Sequence, residues 1–165
     1  MPHAPRKNAS VEIRFAPNAD LISAVRRFVS TFYEDVLGDA ALASRMALTA
    51  HELLENAVKY SIDGETRTLL EVIFEPAPLV SVCTWNRATA ENIHNLEEIF
   101  RAMALEPDAG AHYQNAMRRT ATRRDGSGLG LARIQAEAEM ALSCSIDAGL
   151  VAIHAELRLG DVRVL

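Results

Sequence analysis

Arg123-Arg124-Asp125-Gly126-Ser127-Gly128-Leu129-Gly130-Leu131-Ala132-Arg133-Ile134 sets three glycines on alternate positions and runs them into a helical pattern. Glycine opens backbone angles closed to other residues and lets a ligand approach the main chain. A helix starting near Gly130 would turn unpaired N–H groups and its positive dipole end toward the loop, the outline of a phosphate cradle. A Walker loop needs Gly-Lys-Ser/Thr at its end, and Leu131-Ala132 stand there instead. A dinucleotide fingerprint needs a strand directly before the glycines, and the polar, basic run 118–125 occupies that place. An ordinary turn before a helix accounts for the glycines alone equally well.

A second stretch shifts that balance. His51-Glu52-Leu53-Leu54-Glu55-Asn56-Ala57-Val58-Lys59-Tyr60-Ser61 lies in a strongly helical segment, with Glu52 and Asn56 four apart and so on one face. Glu52 with Asn56, followed by Gly-Ser-Gly-Leu-Gly-Leu-Ala-Arg-Ile from Gly126, resembles the N box and second glycine box of the GHKL ATPases. That superfamily includes gyrase, histidine kinases and anti-sigma-factor kinases. The resemblance spans roughly residues 10 to 159, and the two boxes together are far more specific than either alone.

At 165 residues and 49% hydrophobic, the chain fits one domain with an adequate core, residues 10–165, after a disordered start at 1–9. The sequence has neither a run of about 18 apolar residues nor an apolar core in its first ten, so a cytoplasmic protein with no membrane segment is expected. A net charge of −5 argues against general nucleic-acid binding. Basic charge is local: Arg118, Arg119, Arg123 and Arg124 precede the glycine loop, where they could face a polyanion or simply favour a helix C-terminus. Cys83 and Cys144 lack metal-ligand spacing and read as buried free thiols.

In order, alternation predicts a strand at 11–15, and helical spacing predicts a helix from Leu21 to Val36, capped by Asn18 or Asp20 and ended by Gly38. Asp39 opens a second long helix toward Tyr60, which carries Glu52 and Asn56. Strands follow at 69–74 and 79–85, joined near Pro76-Ala77-Pro78. Thr89 caps a helix to Leu105, Pro107-Asp108 breaks it, and 109–121 forms a weaker helix. After the glycine loop come a helix at 131–140 and a hairpin of 142–146 with 150–159 around Asp147-Ala148-Gly149. The order implies an α/β (α+β) two-layer sandwich, a mixed, mostly antiparallel sheet covered on one face by helices. By resemblance this is the GHKL, or Bergerat, ATP-binding fold.

What the resemblance implies for the site can be carried over residue by residue. Asn56 takes the place of the amide that binds Mg²⁺, and Glu52 that of the acid that activates an attacking hydroxyl or water. Lys59 is placed to reach a phosphate or to remain a solvated lysine. Arg124, Gly126, Ser127, Gly128, Leu129 and Gly130 would form the phosphate side of an ATP or ADP site. His51 has no following proline, so it does not match the phosphoacceptor box of histidine kinases. Asn86 departs from the pattern: most relatives end that strand in Asp-x-Gly-x-Gly, the acid accepting from the adenine amino group, and Asn86-Arg87-Ala88 has neither the acid nor the glycines. An amide oxygen can still accept one bond.

A strand ending in Asn86, a Glu- and Leu-rich helix, Tyr113 in the lid segment and the closing glycine box look like the SiaB-type branch of bacterial partner-switching kinases. These resemble anti-sigma-factor kinases and phosphorylate a serine or threonine on a small antagonist domain. The resemblance therefore implies a Mg²⁺–ATP-dependent protein serine/threonine kinase whose partner is such an antagonist. Two other readings stand beside it: a nucleotide-site-degenerate scaffold that sequesters a regulator, and a detached histidine-kinase catalytic domain. Related kinases often pair as dimers, and the sequence shows no seam that decides for or against a homodimer.

Overall fold

The computed structural model describes residues 7–16, 18–122 and 128–160. Local signals set the helix ends. Asn18 caps α1 (Ala19–Leu37) by accepting from the Leu21 N–H at 3.0 Å, and Gly38 closes it in the left-handed region, φ 72°, donating to the Glu34 carbonyl. Asp39 does the same for α2 (Ala40–Tyr60), accepting from Leu42 at 2.9 Å. Thr89 caps α3 (Ala90–Leu105), and α4 (Ala109–Thr122) follows. Helix α5 (Leu129–Glu137) ends three residues earlier than the expected 140, because Ala138 is its cap and Glu139 turns the chain at φ 53°.

The strands are β1 (Ala9–Phe15), β2 (Thr66–Ile73), β3 (Leu79–Arg87), β4 (Ala141–Asp147) and β5 (Leu150–Arg158). Strand β1 starts two residues before the expected 11, and Asn8 before it accepts from the Phe74 N–H at 2.8 Å. Strand β2 starts three residues before the expected Leu69, since Thr66 and Thr68 are buried and paired with Phe15 and Ile13. The two-layer sandwich forms as the sequence implies, but its sheet is antiparallel throughout, in the order β1-β2-β3-β5-β4. The mixed sheet is corrected for a simple reason. Strands β3 and β4 run in the same direction, and the β4–β5 hairpin, with Ala148 and Gly149 both at positive φ, places β5 between them.

Helices α1, α2 and α5 bury their apolar stripes on one sheet face, where Val29, Met46, Leu53 and Ile134 join Leu70, Val72, Val80, Val82 and Ala155 in one core. Each such side chain contributes about 1.5–3 kcal/mol when fully buried. The Tyr33 hydroxyl, buried in this layer, donates to the Ser81 carbonyl at 2.5 Å and ties α1 to β3. The opposite face is polar at its β1 side, where Arg67 bonds Glu12 at 2.8 Å and stacks on Trp85. Cys83 is buried and Cys144 only half-buried, a correction to the expectation for both. Burial pushes their thiols up to about 12 and about 11, which leaves them unreactive at neutral pH. Among the described residues no helix is long and apolar enough to cross a membrane.

Candidate functional site

Helical spacing on α2 presents Glu52, Asn56 and Lys59 along one face, and the N-terminus of α5 lies over that face. The result is a cleft in two parts that share Asn56. The outer part is wide, about 520 Å³, and its walls include Glu52, Lys59, Tyr113, Leu129, Gly130 and Arg133. The inner part is narrow, with about 20 Å³ of free space, and is lined by aliphatic side chains and by the amides of Asn56, Asn86, Asn92 and Asn95. Charged side chains line the outer part and neutral ones the inner part.

The glycines fit close approaches rather than mere turns. Gly128 is the cap of α5 at φ 84°, and a side chain there would meet Ile99 of α3 at 3.2 Å. Gly130 lies under Glu52: a Cβ on it would come within 2.6 Å of the Glu52 Oε2 atom. The N–H groups of the first turn of α5, from Leu129 onward, have no partner within the helix, and the dipole end adds positive potential.

Glu52 is 12% exposed, and its Oε1 accepts from the Arg133 Nη1 at 3.0 Å. Arg133 Nε donates in turn to Glu137 Oε2 at 2.9 Å, one turn along the same helix. Tyr113, on α4, lines the same outer part; burial first and the Glu137 charge second hold its hydroxyl above its usual range. Asn56 has a buried Nδ2 donor with no protein partner, a group that costs about 1–3 kcal/mol if nothing meets it. Lys59 lies over the Tyr60 ring at 5.1 Å on the rim of the cleft. His51 pairs with Glu55 at 3.2 Å, within its own helix.

Asn86 lies at the end of its strand, one residue before the last of β3, paired with Val151 of β5, and is 7% exposed. Its Nδ2 makes a long 3.4 Å bond to the Arg87 carbonyl, and its side chain lines the inner cleft. The structure thus brings Glu52, Asn56, Lys59, Asn86, Gly128, Leu129 and Gly130 to one cleft. Arg124, Gly126 and Ser127 lie outside the described residues, as do Arg123 and Asp125.

Sequence reasoning assigned no role to Asn92, Asn95, Ile99 or Arg133. Asn92, Asn95, Leu96 and Ile99 recur at helical spacing, so a half-polar stripe on α3 was a readable signal. Arg133 and Glu137, four apart, were a readable pair, but the bond from Arg133 to Glu52 depends on how α5 crosses α2.

No protein-family profile matches the chain. No curated protein sequence matches it either. Among solved structures, the fold is similar to that of a chain in the crystal structure of the SiaB–SiaC complex from Pseudomonas aeruginosa, with a TM-score of 0.64. Identity is 14%, over 90% of this chain and 89% of that one. A likeness at that identity is one of fold.

Proposed function

We propose that this protein is a Mg²⁺–ATP-dependent serine/threonine kinase of a bacterial partner-switching system, acting on a small antagonist-type protein. The observation that carries the reading is the convergence of Glu52, Asn56 and Gly130 in one cleft with a charged outer part and a neutral, amide-lined inner part. The fold neighbour supports the regulatory setting, because it comes from a complex of two proteins.

The residues present fit the phosphate end of a nucleotide in the outer part. The inner part, narrow in this structure, would widen to take the base, with Asn86 as the polar group at its end. No group of three or more His, Cys, Asp and Glu among the described residues could hold a metal, so a protein-only metal centre is not the reading. A hard cation would take the Asn56 Oδ1 as its one protein ligand, with several waters and phosphate oxygens completing its shell, while the unpartnered Nδ2 is a donor left free to meet a nucleotide oxygen. When bound, Mg²⁺ would neutralise phosphate charge. The chain's own part is to hold the phosphates with the α5 N-terminus and Lys59, and to accept the substrate hydroxyl proton on Glu52. Positioning and electrostatics provide most of the rate in such transfers.

Calorimetry with ATP and ADP, with and without Mg²⁺, tests the nucleotide site. Micromolar, Mg²⁺-dependent binding that Asn56→Ala weakens by about tenfold or more, near 1.4 kcal/mol, is expected. Labelled ATP with a candidate antagonist should then give an acid-stable phosphomonoester. Absence of binding at millimolar nucleotide would favour a sequestering scaffold, the reading that the missing acid at Asn86 favours.

A further inference from the structure

We propose that Arg133 is a positioning residue for the Glu52 carboxylate, aiming it from α5; the inference rests on the kinase reading above. A glutamate's last torsion is broad and weakly restrained, so a base on a helix surface needs an outside hold to keep one oxygen aimed. Glu52 has such a hold on one oxygen: its Oε1 accepts from Arg133 Nη1 at 3.0 Å.

Arg133 is itself fixed. A guanidinium is a rigid planar fork, and bonding through Nε to Glu137 and through Nη1 to Glu52 sets the plane in which it lies. The chain Glu137–Arg133–Glu52 therefore joins α5 to α2. A surface ion pair would be worth little, but Glu52 is largely enclosed, and the Arg133 bond is the side-chain partner the structure gives it. A displacement of α5 is transmitted through Arg133 to the orientation of the base.

The test separates aim from binding. Wild type, Arg133→Ala, Arg133→Lys and Glu137→Gln are compared for Mg²⁺–ATP affinity by calorimetry and for ATP hydrolysis, with water as acceptor. Arg133→Ala should lose about 100-fold in turnover, the scale of a misplaced group, with affinity within about twofold of wild type. Arg133→Lys, which keeps the charge and loses the fork, should recover only part of the loss, and Glu137→Gln should show a smaller loss of the same kind. As a readout apart from activity, ¹⁵N spectra of the Arg133 side chain should show slow guanidinium rotation in the wild type and averaged signals in Glu52→Ala. A parallel loss of affinity and turnover, unchanged turnover, or averaged Arg133 signals in the wild type would each overturn the proposal. A wild type that binds no ATP at all would instead overturn the kinase reading, and this inference with it.

Discussion

The Glu52 carboxylate occupies the space in which a side chain on Gly130 would stand, since a methyl there would lie 2.6 Å from Oε2. The atom in the way is the end of a flexible side chain, so the chain can yield by swinging Glu52 aside. Gly130→Ala should therefore fold with little change in denaturant midpoint, alanine being the better helix former. The swing would break the bond to Arg133, and ATP turnover should fall by about 100-fold. A variant with normal turnover would show that the Glu52 position is not critical.

Gly128 tells a different story, because two constraints meet there. Its φ of 84° lies in the left-handed region, and any Cβ would press on three atoms of Ile99 at 3.2–3.3 Å. Gly128→Ala should cost about 1–3 kcal/mol in urea unfolding, from backbone strain and overpacking together. Adding Ile99→Val relieves the contact but not the backbone, so the double variant should regain only part of that loss. Full recovery would assign the whole cost to packing.

These two glycines mark how far the sequence could be read. Helix caps at Asn18, Asp39 and Thr89 and the stop at Gly38 are local chemistry, legible from neighbours in the chain, and the structure has them where the sequence put them. Glu52 and Asn56 share a face by helical spacing alone. What escaped reading depends on distant partners. Asn86 stays in its strand because Val151 and Leu150 of a later hairpin extend the ladder past Trp85. The strand order, with β5 between β3 and β4, is what no local pattern states. Arg133 became part of the site only when α5 was laid across α2.

His112 sets an acid-side prediction. It is 6% exposed on α4, and burial, aided by the nearby Arg119 charge and opposed by Glu106, lowers its pKa from the usual 6.5. The unfolded chain then takes up a proton at a higher pH than the folded one. Stability from this group is full above about pH 6.5 and declines as pH falls from there toward the folded value. His112→Gln should flatten the stability profile over that window while leaving it unchanged at pH 8. Midpoints by urea denaturation at half-unit pH steps would show it, and an unaltered slope would mean that His112 titrates alike in both states.

Asn86→Asp restores the acid that the resemblance leads one to expect, and its effects should oppose one another. A carboxylate at a position only 7% exposed is penalised by desolvation, so without nucleotide the variant should be less stable than wild type at pH 7. Protonation removes that penalty, and the gap should narrow at pH 5. With adenine nucleotide the order changes: a hydrogen bond to a charged acceptor is stronger than one to an amide by about 1 kcal/mol, or about fivefold in affinity. ATP should therefore bind the variant more tightly and protect it more in thermal unfolding than it does the wild type. Asn86 lines the inner cleft from a strand fixed by Val151, so the substitution changes the acceptor without moving it. Equal ATP affinity in the two proteins would place the base elsewhere in the cleft, and weaker binding by the variant would mean that the Asn86 amide donates rather than accepts.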